Sequence, residues 1–191
     1  MESTINNRSK GIVSNLHEYT FHILGCGAIG SSAAVQLTRS GATIFFLYDM
    51  DKVEDVNIGV SQYDHRHIGL TKIKALSCIL EDINPNVKVE CVEGYFSEYL
   101  YNGDKDIAVL AFDNMDARLK AVEILCKTQQ CPKLIIDGRM GAEHYQQYVI
   151  EKPTIQKYKK TWYSNAEMAS EPCNMKATTY CSYMSGSFIA N

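Results

Sequence analysis

Three glycines near the amino terminus have the spacing of a phosphate-binding turn. Gly25, Gly27 and Gly30 form G-x-G-x-x-G between the apolar run 22–24, which indicates a strand end, and residues 31–40, which have a helical pattern. The first glycine of such a turn permits a tight bend, the second lets backbone approach a phosphate, and the third lets helix and strand pack closely. A phosphate would also meet the free N–H groups at the start of the helix. The pattern therefore predicts a nucleotide-binding turn.

Carboxylates follow two predicted strands. Asp49 ends the β-branched and aromatic run 43–48, 24 residues after the first glycine, which is close to the spacing of a ribose-binding acid. Asp51 follows it, and Asp113 comes directly after a second apolar run over 105–112. Because the carboxyl ends of parallel strands share one edge of a sheet, we expect these three side chains beside the glycine turn. The alternative for Asp113 is a turn acid or a helix N-cap.

Two further polar side chains lie in the segment after the first acidic pair. Asn57 offers an amide for ribose or phosphate contacts, and Lys72 follows Gly69 at the start of a predicted helix. A lysine at that position could reach phosphates held by the glycine turn. Taken alone, Lys72 is better explained as a solvated helix residue, and only its neighbouring elements favour the phosphate contact.

These residues must be positioned by an alternation of strands and helices. Strands are predicted over 20–25, 43–48, 86–92, 107–112 and 133–137, and helices over 28–40, 70–83 and 115–128. This alternation predicts an α/β fold: a Rossmann-like doubly wound, mostly parallel sheet with helices on both faces. Residues 144–150 alternate in polarity and predict an antiparallel addition near the carboxyl terminus.

The chain length of 191 residues suits a single domain. Residues 1–18 are polar and predict an amino-terminal arm or short helix, which leaves 19–191 as one nucleotide-binding domain. A polar stretch over about 151–175 predicts a long crossover loop, and loops of that length are usually functional. A last helix is predicted to begin near residues 176–179.

The composition limits the possible partners and compartment. With 19 basic and 22 acidic residues the net charge is −3, so no overall field favours nucleic acid. No apolar run approaches 18 residues, which argues against a membrane partner. Seven cysteines without a C-x-x-C pair fit a reducing cytoplasm.

Taken together, these motifs resemble the ThiF/MoeB family, the ATP-binding fold of ubiquitin-activating-type enzymes. The matching elements are GCGAIG at 25–30, D-x-D-x-V at 49–53, Asn57, G-x-x-K at 69–72, NP at 84–85 and DNMDAR at 113–118. Their order and spacing match over roughly residues 20–140. The later IDGRMG at 136–141, followed by a strand, a loop and Cys173 before a helix, resembles a small bacterial and phage-associated branch.

The resemblance implies a role for each matching residue. The three glycines would cradle the phosphates of ATP, and Asp49 would bind the ribose hydroxyls. Asn57 and Lys72 would contact the phosphates, and Asp113 would hold Mg²⁺, a cation that suits one carboxylate plus phosphate oxygens and water. The implied reaction is attack of a carboxylate on the α-phosphorus, which gives an acyl-adenylate and pyrophosphate. The implied substrate is the carboxyl terminus of a small ubiquitin-like or sulfur-carrier protein, and a homodimer is expected.

Cys173 is the candidate for a second step, in which the acyl group passes to a thiol as a thioester. It precedes the last predicted helix, and a helix amino terminus favours the thiolate. The alternative is an ordinary loop cysteine, since many family members stop at the adenylate.

One departure from the family pattern leaves other functions open. Val60 stands where the family commonly has an arginine that binds the triphosphate, and Arg8, Arg66 or Arg139 could substitute for it. The missing arginine is the best support for a non-catalytic partner subunit of a heterodimer, while Lys72 and Asp113 argue against that role. An NAD-dependent oxidoreductase is allowed by the glycine turn and its acid, but it leaves the predicted lysine and magnesium ligand unexplained. Activation of a small molecule or of an RNA-linked carboxylate is a further alternative.

Overall fold

A six-stranded sheet forms the centre of the computed structural model, which describes residues 15–164 and 177–191. The strands are β1 (Thr20–Leu24), β2 (Ile44–Asp49), β3 (Lys88–Glu93), β4 (Asp106–Leu110), β5 (Leu134–Gly141) and β6 (His144–Glu151). Their order is β3-β2-β1-β4-β5-β6, with β1 to β5 parallel and β6 antiparallel to β5. This order confirms the predicted doubly wound sheet and its antiparallel addition.

Helices cover both faces of the sheet, as predicted. Within the described residues they are α1 (Ala28–Arg39), α2 (Asp55–Ile58), α3 (Lys72–Ile83), α4 (Met115–Leu125), α5 (Ile155–Lys159) and α6 (Thr179–Ala190). One apolar cluster joins the sheet to α1, α3 and α6, and a second joins the opposite face to α4 and α5. Every residue of β1 and β4 is buried because both faces of these central strands are covered.

The strand order places the expected ligand crevice. The order reverses at β1, which has β2 on one side and β4 on the other. In sheets of this kind, ligands bind beyond the carboxyl ends of the strands at that switch point. The loops after β1, β2 and β4 meet there, and these loops carry the glycine turn and the predicted carboxylates.

Two segments differ from the sequence-based expectation. β5 continues to Gly141 because it pairs with β6 along its whole length, up to the pair Gly141 and His144. The predicted polar loop contains the short helix α5, in which the Thr154 side chain accepts a hydrogen bond from the Lys157 N–H at 3.2 Å. Tyr158, which belongs to this helix, is fully buried. A single buried anchor among polar residues leaves no periodic signal in the sequence.

Part of the predicted arm and loop lies outside the described residues. This applies to residues 1–14 and to 165–176, which include Cys173. The described end of the arm, Leu16–Glu18, forms one 3₁₀ turn. The division into an arm over 1–18 and a domain over 19–191 stays a prediction. None of the helices within the described ranges has the length and apolar character needed to cross a membrane.

Candidate functional site

The glycine turn joins β1 to α1 and lies against the segment that follows β4. Gly25 has a φ of 96°, and a Cβ there would come within 2.9 Å of the Ala111 carbonyl oxygen. A Cβ on Gly30 would come within 1.8 Å of the Gly25 carbonyl oxygen. At Gly27, the N-cap of α1, a Cβ would meet nothing within 4 Å beyond its chain neighbours. The turn is therefore packed against protein on one side and open at its middle glycine.

The Asp49 carboxylate braces this turn from the end of β2. Its Oδ2 accepts a hydrogen bond from the Cys26 N–H at 2.7 Å, and its Oδ1 accepts one from the Asp51 N–H at 2.8 Å. A carboxylate oxygen can accept more than one hydrogen bond, and Asp49 is half-buried rather than enclosed. The group can therefore hold the turn and still accept hydrogen bonds from a ribose. Sequence reasoning predicted the ribose contact but not the brace.

Lys72 opens α3 and forms an ion pair with Asp51, with 2.8 Å between Nζ and Oδ2. The Lys72 N–H also donates to the Asp51 carbonyl oxygen at 2.8 Å. The lysine side chain is only 12% exposed, whereas the Asp51 side chain is 55% exposed. The structure thus brings these two predicted residues together and makes Asp51 the counter-ion of the lysine.

The electrostatics around Cys26 place both charged groups at the turn. Burial and the Asp49 carboxylate raise the pKa of the Cys26 thiol, while the Lys72 ammonium opposes that shift. The thiol is fully buried, so Cys26 is an inert core residue. The Asp49 carboxylate and the Lys72 ammonium therefore both act on the pKa of this thiol, which lies between the first two glycines of the turn.

Asn57 lies in α2, where it takes part in a capping box. Its Oδ1 accepts a hydrogen bond from the Glu54 N–H at 2.9 Å, and the Glu54 side chain caps the Asn57 backbone in return. The cap uses the oxygen end of the amide. The Nδ2 end is the donor that a phosphate would require, so the predicted phosphate contact is compatible with the cap and stays a prediction.

Asp113 is exposed, three residues beyond the end of β4. The N-cap of α4 is Asn114, whose Oδ1 accepts a hydrogen bond from the Ala117 N–H at 2.9 Å. The alternative role of Asp113 as the helix cap is therefore wrong, because its neighbour performs it. Asp113 remains an exposed carboxylate at the switch point, close in sequence to the Ala111 carbonyl that touches the glycine turn.

Two of the three arginines considered as substitutes at Val60 have other partners. Arg66 is 81% exposed and forms a fork with Asp64, with 2.7 Å between Nη2 and Oδ2, and this pairing lowers the pKa of Asp64 to about 2. Arg139 is buried and its guanidinium is bound to Asp137. Arg8 lies outside the described residues.

Two buried polar groups beside the site were missed by sequence reasoning. Arg118 and Arg139 both pair with the buried Asp137, which lies within β5 opposite Leu110 at the end of β4, and Arg118 also donates to the Leu110 carbonyl oxygen at 3.1 Å. The motifs at 113–118 and 136–141 contain all three residues, but the sequence does not indicate that these residues pair with one another. The second group is the hydroxyl of Tyr63, which contacts the glycine turn and carries no motif.

The fold and this edge define a doubly wound α/β domain with a glycine turn at its switch point, the architecture of nucleotide-binding proteins. The chain belongs to the ThiF family, whose family model matches residues 4–183.

Curated relatives give the same assignment over part of the chain. Ubiquitin-like modifier-activating enzyme 5 of Branchiostoma floridae is 33% identical over 137 residues, which cover 62% of this chain and 34% of that protein. The enzyme of the same name from Arabidopsis thaliana is 33% identical over 138 residues, covering 61% of this chain and 32% of that protein. The chain thus spans about a third of the length of the curated relatives it matches.

Solved structures share the fold at low sequence identity. E. coli MccB in complex with ATP has a TM-score of 0.69 and 19% identity, with 92% of this chain and 55% of that chain covered. TcdA (CsdL) has a TM-score of 0.68 and 16% identity, with 97% of this chain and 89% of that chain covered.

Proposed function

We propose that this chain adenylates a carboxylate with ATP at the carboxyl edge of its sheet. The observation that carries the proposal is that the glycine turn, Asp49 and Asp113 follow the carboxyl ends of the adjacent strands β1, β2 and β4, and that Lys72 is paired with Asp51 beside them. The relatives support it: MccB has been solved with ATP and with N-formylated MccA, and the curated relatives are ubiquitin-like modifier-activating enzymes. The proposed substrate is therefore the carboxyl terminus of a small ubiquitin-like or sulfur-carrier protein, or of a peptide.

The nucleotide would bind through backbone as much as through side chains. Helix geometry leaves the first amides of α1 without intrahelical partners, and Gly27 leaves space for phosphates to approach them. Asp49, already fixed by two N–H donors, would accept the ribose hydroxyls without a further loss of side-chain entropy. Asn57 would offer its Nδ2 to a phosphate.

In the reaction, a carboxylate oxygen of the substrate attacks the α-phosphorus of ATP. The bond from that phosphorus to the oxygen bridging to the β-phosphate breaks, and pyrophosphate leaves with the electron pair. The protein contributes positioning and charge stabilisation. Lys72 would exchange its pairing with Asp51 for the departing phosphates, and because it is only 12% exposed its charge would be poorly screened by solvent.

Asp113 would hold the Mg²⁺ of Mg·ATP. A carboxylate outside the helix cap fits a cation that takes one or two protein oxygens and completes its shell with phosphates and water. When bound, Mg²⁺ would neutralise phosphate charge during departure of pyrophosphate.

We further propose that Cys173 accepts the acyl group. Its thiolate would attack the acyl carbon of the adenylate, the new bond would be a thioester, and AMP would leave with the electron pair while the thiol proton passes to solvent. The described residues on either side of its segment support this. Trp162 donates through Nε1 to the Met115 carbonyl oxygen at 2.8 Å, and Thr179 donates to the Gly59 carbonyl oxygen. The described residues that flank the segment therefore contact the stretches that carry Asp113 and Asn57.

ATP–pyrophosphate exchange tests the proposal, with candidate carboxyl-terminal peptides and ubiquitin-like proteins as the carboxylate. We expect exchange in the wild type and a loss of at least a hundredfold in Lys72→Ala and in Asp113→Ala. Lys74→Ala and Asp82→Ala are matched controls, because both are exposed residues of α3 and should keep exchange within twofold. A thiol-sensitive adduct should form with the wild type and Cys131→Ser and be absent from Cys173→Ala.

The outcomes separate the alternatives. Exchange without the adduct leaves adenylation standing and removes the thioester step. The valine at position 60, where the family resemblance implies an arginine, is the best support for a non-catalytic subunit. Tight Mg·ATP binding without exchange for any carboxylate would identify that role. We also propose, from the family resemblance and the cysteine pattern respectively, that the chain forms a homodimer and acts in the cytoplasm.

A further inference from the structure

The hydroxyl of Tyr63 contacts two parts of the candidate site that come from different elements. It donates a hydrogen bond to the Cys26 carbonyl oxygen at 2.6 Å, and the Lys72 carbonyl oxygen is a second acceptor at 3.2 Å. Cys26 lies between the first two glycines, and Lys72 is the first residue of α3. One hydroxyl thus links the glycine turn to the helix that carries the lysine.

The Cys26 residue is held on both sides of its backbone. Its N–H donates to the Asp49 carboxylate at 2.7 Å, and its carbonyl accepts from Tyr63 at 2.6 Å. Two side chains outside the turn therefore fix the peptide groups of Cys26, while the Gly25 N–H is held by the Tyr48 carbonyl oxygen of β2 at 2.9 Å. If the contact with Tyr63 were lost, the Cys26 carbonyl would lose its side-chain donor and the turn would be less firmly held at its centre.

Tyr63 is suited to this task in its protonation and its burial. The residue is 3% exposed, and burial raises the pKa of its hydroxyl well above the usual value, with smaller contributions from Cys26 and Asp49. The group is therefore always a donor near neutral pH. Its ring packs edge-on to that of His67, with 6.1 Å between the ring centroids. A phenylalanine at this position would keep the ring packing and lose only the hydrogen bonds of the hydroxyl.

The neighbouring sequence gives this hydroxyl particular importance. The family resemblance implies an arginine that binds the triphosphate at position 60, and the Val60 side chain of this chain cannot make that charged contact. Binding of the phosphates must then rely more on the amides of the turn and on Lys72. Those two groups can act on one triphosphate only if they keep a fixed separation.

We propose that Tyr63 is a positioning residue that fixes the glycine turn against the start of α3, so that the turn amides and the Lys72 ammonium meet the same triphosphate. This inference rests on the proposed use of ATP. Tyr63 itself would not touch the nucleotide. Its removal should weaken nucleotide binding through a looser turn.

The test compares Tyr63→Phe with Tyr99→Phe. Tyr99 is a matched control, because its hydroxyl donates to the buried Asp106 at 2.8 Å at the opposite edge of the sheet. Losing one hydrogen bond of this kind changes an equilibrium by about three- to tenfold. We therefore expect Tyr63→Phe to bind Mg·ATP about three- to tenfold more weakly by titration calorimetry, and Tyr99→Phe to bind it as the wild type does.

Hydrogen exchange of the nucleotide-free protein supplies a second reading that does not depend on ATP. Amides of residues 26–30 should exchange faster in Tyr63→Phe than in the wild type and at the wild-type rate in Tyr99→Phe. The comparison is made at the same temperature interval below the melting temperature of each protein. Wild-type affinity for Mg·ATP in Tyr63→Phe, or equal weakening in both variants, would overturn the inference. If the wild type binds no Mg·ATP, the proposed function fails first, and the exchange data alone then show whether Tyr63 orders the turn.

Discussion

At the scale of single residues, the three glycines of the turn lack a side chain for three different reasons. Gly25 needs a positive φ, Gly30 needs room for the Gly25 carbonyl oxygen, and a Cβ on Gly27 would meet nothing within 4 Å beyond its neighbours among the described residues. The first two requirements come from the fold. The third has no cause within the described part of the protein, and an approaching phosphate would supply one.

This difference predicts opposite effects of the same substitution. Gly30→Ala places a methyl group 1.8 Å from a backbone oxygen, so α1 must shift, and we expect a loss of about 3 kcal/mol or more in the free energy of unfolding. Gly27→Ala should cost about 1 kcal/mol or less, yet weaken Mg·ATP binding at least tenfold. Urea unfolding and calorimetry measure the two quantities. Full ATP affinity in a stable Gly27→Ala protein would contradict the assignment.

The residues of the site divide by whether their role depends on sequence spacing or on tertiary contacts. Spacing predicted that Asp49, Asp51 and Asp113 would lie at one edge of the sheet, and the fold places them after the carboxyl ends of β2 and β4. The pairing of Lys72 with Asp51 and the contact of Tyr63 with Cys26 join residues 21 and 37 positions apart. Side-chain contacts over such separations depend on how loops pack, and no period in the sequence encodes them.

At the scale of elements, a buried network at the amino edge fixes the loop between β3 and β4. Asp106 Oδ2 accepts hydrogen bonds from the Tyr99 hydroxyl and the Asn102 N–H, both at 2.8 Å, and lies 3.1 Å from His22 Nε2. Burial raises the pKa of Asp106, but the hydrogen bonds from His22, Asn102 and Tyr99 outweigh it and leave the pKa below its usual range. The loop is thus tied to the two central strands by one carboxylate.

This network predicts a pH dependence of stability. Because the pKa of Asp106 is lower in the folded chain than in the unfolded chain, its stabilisation is present above about pH 4 and is lost as pH falls further. Asp106→Asn should lower the free energy of unfolding by about 2–3 kcal/mol at pH 7, with a smaller difference from wild type at pH 3. The exposed neighbour Asp104→Asn should change little at either pH. A difference that stays constant with pH would show that charge is not involved.

Most strands and helices could be predicted from the sequence because their buried residues recur at a regular spacing. The elements that were missed lack such a spacing. β1 and β4 are continuous buried runs, and α3 has a clear apolar stripe, so each produces a periodic signal. α5 has a single buried residue, Tyr158, and the end of β5 is determined by its partner strand. Elements defined by tertiary contact cannot be located from their own residues alone.

At the scale of the whole molecule, the last helix closes the fold around the first. α6 packs closely on α1, where a Cβ on Gly186 would come within 2.3 Å of Ser32 Oγ, and Ser182 donates to the Ala28 carbonyl oxygen at 2.9 Å. Ala28 directly follows the middle glycine of the turn. The helix that follows the glycine turn is therefore supported by the last described helix, and a ligand bound at the candidate site should stabilise both helices together.

That coupling predicts the stability of the whole domain in the presence of nucleotide. A ligand that binds only the folded state at a hundred times its Kd adds about 2.7 kcal/mol, which for a domain of this size raises Tm by roughly 5–10 °C. We expect this shift with Mg·ATP, a much smaller one in Lys72→Ala, and the full shift in Lys74→Ala, because only Lys72 lies in the site. NADH at the same concentration should leave Tm unchanged, because a dinucleotide has no triphosphate for Lys72 and the Mg²⁺ at Asp113 to bind. A shift with NADH and none with Mg·ATP, recorded by differential scanning fluorimetry, would assign the glycine turn to a dinucleotide and exclude adenylation.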